Sequence, residues 1–375
     1  MKSNKKTQPT NYEPLATPHE PQPILVTGAA GFIGSHLCKR LIQEGHHVIA
    51  LDNFNDFYDP EIKKRNISSL LDTPNFTLIP GDILNIELLD AIFSSDQEKI
   101  SRLSLSLEGL VHLNHNPPAT DHPPPTTSLQ ATDHPPQAII HLAAMAGVRP
   151  SLVSPTKYVD VDIKGTVNLL EMARKHEVDK FIFGSSSSVY GINEKIPFSE
   201  DDVTDLQISP YATAKKAAEQ YCKTYNHLYG VPTAALRFFT VYGPRQRPEM
   251  AIHKFARLMK NGERIPMYGD GTSARDYTYV DDIVDGITAA LHADYDFEIF
   301  NLGNSETIQL RDLIELIGKK MNIDLQIDKQ PQQPGDVPIT HADITKAENL
   351  LGYNPQISIQ EGIEKFVRWF KDHSV

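Results

Sequence analysis

From residue 24 onward, short apolar runs alternate with stretches whose apolar residues recur every three or four positions. The runs are PILVTG, HHVIALDN, FTLIPGD, QAIIHLAA, VDKFIFGSS and TAALRFF. After the first of them, Ile33, Leu37 and Leu41 share one face of a predicted helix. Strand-length runs alternating with helices predict an α/β fold, a doubly wound parallel (Rossmann) sheet covered on both faces. Past residue 244 the pattern becomes irregular. YGDGTSARDYTYVDD returns to strand character, and residues 305–375 mix short helices with loops. This predicts a main domain over 24–244 and a smaller C-terminal domain, mainly 245–375, that binds substrate over the sheet's carboxyl edge. Residues 276–302 are expected to return to the main domain.

Two stretches break the rhythm. Residues 1–23 carry charge and proline but no apolar core, so they read as a disordered tail rather than a signal peptide. Residues 96–136 are proline-dense, and the hexamer ATDHPP occurs in them twice. Proline removes backbone donors, so most of this segment is expected to be irregular, an inert surface insertion. Its histidines (His112, His115, His122 and His134) make a weak metal reading, because a flexible repeat does not preorganise ligands. No metal is expected. The insertion meets QAIIHLAA at the amino end of a strand, whereas open α/β sheets bind ligands at the carboxyl ends.

Composition narrows the function classes. The 375 residues hold 36 Lys plus Arg against 48 Asp plus Glu, a formal net charge of −12. That balance argues against a broad nucleic-acid or anionic-membrane surface. No apolar run reaches the roughly 20 residues of a membrane span. Cys38 and Cys222 have neither metal-like nor disulfide-framework spacing, which fits a reducing cytoplasm.

Candidate chemistry starts at VTGAAGFIG, with Gly28, Gly31 and Gly34 between a strand and a helix. Glycines there let the backbone approach a pyrophosphate, whose charge then sits at the helix N-terminus. The next strand ends at Asp52, eighteen residues past Gly34. A carboxylate there accepts hydrogen bonds from an adenosine ribose and repels a 2′-phosphate, which favours NAD over NADP. Asp82 in PGDI faces the adenine side or simply caps a strand end. In SPYATAKKAAEQY, Tyr211 and Lys215 lie four apart and share a helix face. A free tyrosine, with a pKa of about 10, is a poor base at neutral pH. A neighbouring ammonium favours its phenolate, and Tyr211 then takes a proton from a sugar hydroxyl as hydride leaves the carbon.

The motifs TGAAGFIG, GD, HLAA, SSSSVYG, YATAKK, LRFFTVYGPRQRPEM, RDYTYVDD and PGDVP resemble the extended short-chain dehydrogenase/reductases, specifically their nucleotide-sugar epimerases. The resemblance runs from residue 24 nearly to the end, interrupted by the insertion. It implies bound, recycled NAD, a UDP-sugar substrate and a homodimer formed through helices that include the Tyr211 helix. It places Tyr211 as base, Lys215 as its activator and ribose ligand, and Ser186 as the hydroxyl that polarises the reacting oxygen. It adds Phe32, Ile33, Asn53, Ile83, Leu142, Ala143 and Ala144 to the cofactor site. Related 4,6-dehydratases carry an Asp-Glu pair where this chain has Ser187 and Ser188, and related decarboxylases carry a glutamate at the second position. Epimerisation remains.

HLAAMAGVRPS and LRFFTVYGPRQRPEM resemble the glucuronate 4-epimerases, and Thr240 stands where glucose/galactose-type enzymes usually have asparagine. Oxidising C4 of a glucuronate creates a β-keto acid that readily loses carbon dioxide, so its carboxylate needs gripping. Arg247 suits a bidentate carboxylate pair, aided by Ser187, Ser188 and Thr240; a phosphate or surface contact is its other reading. Arg149 and Arg275 fall to the diphosphate or sugar, or to structural ion pairs. Asp336 falls to the uridine ribose, or to a loop cap. The chain departs from the family at Asp162, where asparagine is common; the extra negative charge near the cofactor either weakens a contact or is neutralised by Lys164 or Arg149. A glucose-type epimerase, a dehydrogenase releasing NADH and a non-catalytic NAD-binding regulator stay open as alternatives.

Overall fold

The structure is a computed structural model that describes residues 21–105, 135–331 and 337–373. The chain first lays down β1 (Pro23–Thr27), β2 (His47–Asp52), β3 (Phe76–Pro80), β4 (Ala138–His141), β5 (Lys180–Ser186) and β6 (Thr233–Phe238). It then leaves that sheet for β7 (Thr240–Tyr242), β8 (Ile265–Tyr268) and β9 (Ala274–Tyr279), and returns with β10 (Phe297–Leu302). Finally β11 (Thr307–Gln309) pairs with β9, and β12 (Ile327–Gln330) with β8.

The main sheet has seven strands in the order β10-β6-β5-β4-β1-β2-β3, all parallel. The strand order reverses between β1 and β4, which opens a crevice at their carboxyl ends, where ligands bind in such sheets. The strands divide their apolar residues between the two faces: Ile24 and Val26 of β1 join one core cluster and Leu25 joins the other. Both faces are therefore covered, as the continuous apolar runs require.

Helices α1 (Phe32–Gln43), α2 (Pro60–Ile67), α3 (Ile86–Phe93) and α4 (Gln97–Leu103) connect the first strands. After β4 come α5 (Val148–Val153), α6 (Pro155–Tyr158), a π-helical turn over Val159–Lys164, and α7 (Gly165–Lys175). The long α8 (Pro210–Tyr229) follows β5, and α9 (Ala251–Lys260), α10 (Val280–His292), α11 (Leu310–Met321), α12 (Thr345–Leu351) and α13 (Ile359–His373) complete the chain. The start of α8 follows from its sequence. The Ser209 side chain accepts from the Ala212 N–H and Pro210 fills the first turn; Gly230, at φ 69°, ends the helix in the left-handed conformation.

Three boundaries differ from the expectations above. Strand β1 begins at Pro23, inside the stretch read as tail, because Gln22 already takes part in the pairing by accepting from the His47 N–H. The first residues of the proline-rich segment are helical: Asp96 caps α4, and Ile100 buries against the α3 side of the core. The return to the main sheet starts at Val280, since β9 pairs with β7 and β11 instead. Residues 1–20, and the insertion histidines His112, His115, His122 and His134, lie outside the described residues.

Candidate active site

The glycine loop joins β1 to α1 at the carboxyl edge of the sheet. Gly28 adopts φ +69°, and a Cβ there would sit 2.8 Å from the Ala143 backbone nitrogen. At Gly34 a Cβ would sit 2.1 Å from the Gly28 carbonyl oxygen. These glycines permit the loop to turn and the helix to pack on it. The first turn of α1 carries no acidic residue, and no side chain caps it. Its N–H groups therefore remain available to an anion.

Asp52 ends β2 beside this loop. Its Oδ2 accepts from the Ala30 N–H at 3.0 Å and its Oδ1 from the Phe54 N–H at 2.8 Å, so the carboxylate braces the loop it adjoins. Asn53 donates to Asp82 at 2.9 Å, and Asp82 also accepts from the Leu84 N–H at 2.8 Å. Asp82 is thus a strand-end cap that also faces the cavity.

One cavity gathers Gly28, Gly31, Phe32, Ile33, Gly34, Asp52, Asn53, Asp82, Ile83, Leu142, Ala143 and Ala144 with Tyr211, Lys215 and Arg247. Residues far apart in sequence are collected here by the crevice between β1 and β4. The glycine cradle, the uncapped helix start and the Asp52 carboxylate at the end of β2 fit a dinucleotide. Tyr58 and Lys63 line the same cavity without having been legible as site residues. The Lys63 ammonium donates to the backbone and side-chain oxygens of Asn55 at 3.0 and 2.9 Å and lies 5.0 Å from the Tyr58 ring centre. The segment after β2 brings Tyr58 to the cavity wall and helix α2 brings Lys63, and no local spacing announces that.

On the other wall, α8 presents Tyr211 and Lys215. Lys215 is buried; its Nζ donates to the Gly184 carbonyl at 2.9 Å and lies 5.0 Å from the Phe183 ring centre. Tyr211 stands edge-to-face with Tyr158, centres 6.1 Å apart. Ser186 ends β5 and caps the short turn after it, accepting from the Ser188 N–H at 3.2 Å while its hydroxyl lies 3.1 Å from that of Ser188. Ser187 and Ser188 are half-buried in the same turn. Ser185, which lines the cavity with Gly184, donates its hydroxyl to buried Glu219 at 2.6 Å. Glu219 in turn accepts two bonds from Arg237, each 2.9 Å, and Arg237 lies over the Tyr190 ring at 4.8 Å. This ion pair ties the end of β5 to α8 and β6.

A second cleft, walled partly by α9, holds Arg149, Glu249, Lys254, Tyr268 and Arg275. The Arg149 guanidinium lies 5.1 Å from the Tyr268 ring centre, and Arg275 donates to the Ala274 carbonyl at 2.8 Å. Arg247, in the first cavity, donates to Glu249, in the second, at 2.6 Å, so this pair spans the two. Thr240 starts β7, in register with Tyr277 of β9. Asp336 lies outside the described residues.

Asp162 differs from expectation. It is buried in the π-helical turn, and its Oδ1 accepts from the Met145 N–H at 2.6 Å. Neither Lys164 nor Arg149 faces it; the cation that does is Lys215. Lys164, two residues on, points to solvent.

Two family models match the chain: NAD dependent epimerase/dehydratase family over residues 24–118, and GDP-mannose 4,6 dehydratase over 129–366. A UDP-glucuronate 4-epimerase of Thermodesulfobacterium geofontis is 38% identical over 350 residues, 93% of this chain and 96% of the relative. UDP-glucuronate 4-epimerase 4 of Arabidopsis thaliana is 39% identical over 92% of this chain and 75% of its own length. Among solved structures, the UDP-glucuronic acid 4-epimerase of Bacillus cereus, in complex with UDP-glucuronic acid and NAD, superposes with a TM-score of 0.78. It is 34% identical, covering 93% of this chain and 99% of that one. The UDP-glucose 4-epimerase of Thermotoga maritima, with UDP-glucose, gives 0.77 at 32% identity over 93% and 99%. The chain belongs to the NAD-dependent epimerase/dehydratase family, as an extended short-chain dehydrogenase/reductase of the nucleotide-sugar epimerase kind.

Proposed function

We propose that this protein interconverts UDP-glucuronate and UDP-galacturonate by epimerisation at C4, with NAD retained through the cycle. The observation that carries the reading is a single cavity in which Tyr211 and Lys215 face the glycine loop, beside a β5 turn that offers only hydroxyls at Ser187 and Ser188. Elimination of water needs an acid and a base at those positions, and this turn has neither.

Bound NAD would supply the hydride acceptor for C4 and would be regenerated in each turnover, so none would be consumed. Gly28, Gly31 and the start of α1 hold its pyrophosphate, and Asp52 its adenosine ribose. Tyr211, as phenolate, takes the proton from the C4 hydroxyl as that carbon is oxidised, and returns it after the ketone has turned its other face. Lys215 stabilises the phenolate through its charge, and Ser186 donates to the reacting oxygen. Arg247 leaves Glu249 for the substrate carboxylate, restraining the β-keto acid, with Ser187, Ser188 and Thr240 adding neutral hydrogen bonds. Arg149 and Arg275 take the diphosphate and Asp336 the uridine ribose.

The working unit is a homodimer in the cytoplasm. Leu152, Val153 and Val159, beside α8, and Tyr221, Leu228 and Tyr229, on it, are apolar and exposed, and a second copy would cover them. No helix among the described residues is long and apolar enough to cross a membrane.

The test is proton NMR of purified protein with UDP-glucuronate, and separately UDP-glucose, without added NAD. UDP-galacturonate formed from the first is the expected result. UDP-galactose formed only from the second would move the assignment to a neutral-sugar epimerase, and NADH accumulating on addition of NAD would make the protein a dehydrogenase.

A further inference from the structure

Asp162 is a carboxyl group placed where burial opposes its charge. The residue is 1% exposed, in the π-helical turn that interrupts the run from α6 to α7. Such turns often mark functional positions. One oxygen, Oδ1, holds the Met145 N–H at 2.6 Å and so fixes the loop after β4 that carries Leu142, Ala143 and Ala144 into the cavity. The other, Oδ2, is buried and has no hydrogen-bond partner among the described residues. A buried acceptor left unpaired is costly, and a structural tether needs only one oxygen.

The groups around it are the proposed catalytic pair and its neighbours. From α8 comes Lys215, itself 4% exposed, and with it Tyr211. From α6 comes Tyr158, whose hydroxyl donates to the carbonyls of Ala146 and Gly147 at 3.1 Å. From β4 comes His141, bonded to Thr27 at 2.8 Å and Thr166 at 3.0 Å, and held neutral by burial, which pushes its pKa down to about 3. From α7 comes Thr166, which donates to the Asp162 backbone carbonyl at 2.6 Å. On the turn itself, Asp160 and Lys164 point to solvent.

We infer that Asp162 is a positioning residue that sets the ionisation of Tyr211 through Lys215: ionised, it claims part of the ammonium's field and opposes the phenolate, and protonated, it leaves that field to Tyr211. The inference rests on the Tyr211–Lys215 chemistry proposed above. Burial raises the Asp162 carboxyl to about 6, while Lys215 and the Met145 N–H act in the opposite direction.

The substitution D162N retains an oxygen for Met145 and removes the charge. With the NAD-loaded protein, the acid limb of the kcat/KM profile is expected to move down by about one pH unit, tenfold in rate at a pH on the limb. Superimposable limbs would overturn the inference. A second readout needs no turnover. A carboxyl whose folded pKa lies above its unfolded value costs stability as pH rises between the two, here from about 4 to about 6. The Tm advantage of D162N over the wild type should therefore grow across that window. In the K215M background the window should extend upward, because the cation that favours the carboxylate is gone. A Tm difference that ignores pH, or a window unmoved by K215M, would show that Asp162 does not act through Lys215. Absence of epimerisation with every UDP-sugar, with the Tm behaviour intact, would instead sink the proposed function and leave the Asp162–Lys215 coupling standing.

Discussion

Replacing Arg237 by methionine removes one half of a buried ion pair and keeps most of its volume. Arg237 and Glu219 side chains are both 1% exposed, and their two bonds of 2.9 Å are bidentate. Breaking such a pair from one side costs about 3–5 kcal/mol, because the remaining charge stays buried. Here the lower end applies, since Lys216 lies 3.6 Å from the stranded Glu219 carboxylate and the Ser185 hydroxyl still donates to it. At roughly 2 °C per kcal/mol for a large domain, Tm should fall by roughly 6–8 °C in differential scanning calorimetry. Replacing both members, as Arg237→Met with Glu219→Leu, should recover most of the loss, because an apolar pair of similar volume needs no desolvation. The chemistry should suffer in the single variant as well. Glu219 lies one turn beyond Lys215 on α8 and holds Ser185, the neighbour of Ser186, so kcat should drop more than NAD retention. A single variant within 1 kcal/mol of the wild type would refute the reasoning, as would a double variant no more stable than the single one.

Tyr211→Phe should keep bound NAD, read by absorbance after denaturation, while losing about 10²–10⁴ in kcat; undiminished turnover would remove Tyr211 as the base. Gly34→Ala should yield protein purified without NAD, because the new Cβ would meet the Gly28 carbonyl at 2.1 Å and displace the loop. Arg247→Ala should lower kcat/KM for UDP-glucuronate by tenfold or more while sparing UDP-glucose. Equal losses with both sugars would mean that Arg247 serves the shared nucleotide instead.

The parts of the site that were legible from sequence are those built within one turn or one loop. Tyr211 and Lys215 need only helical spacing, and Gly28, Gly31 and Gly34 need only the passage from strand to helix. Parallel strands also declare themselves locally, as apolar runs, although their order comes from crossovers that no run encodes. Lys63 and Tyr58 were not legible, because they reach the cavity only through the path of the chain from β2 into helix α2. The partner of Asp162 was misassigned for a similar reason. Lys164 is near in sequence but two residues along a helical turn, so it projects elsewhere, whereas Lys215 arrives from a different helix. The helix α4 was hidden by the prolines that follow it, although Asp96 caps it in the ordinary way.

The return of β10 to the edge of the main sheet, after the excursion through β7, β8 and β9, has a mechanical consequence. The chain passes between the two sheets' territories at Phe239, again at Val280 and once more after Leu302. At the last of these crossings the buried Asp276 carboxylate of β9 accepts from the N–H groups of Asn304, Ser305 and Ala342. Three strands of chain pinned by one carboxylate do not act as a free hinge. Closure over a nucleotide sugar would then proceed as a small sliding of α9 and its neighbours across the sheet edge, and heat should melt both parts in one cooperative transition.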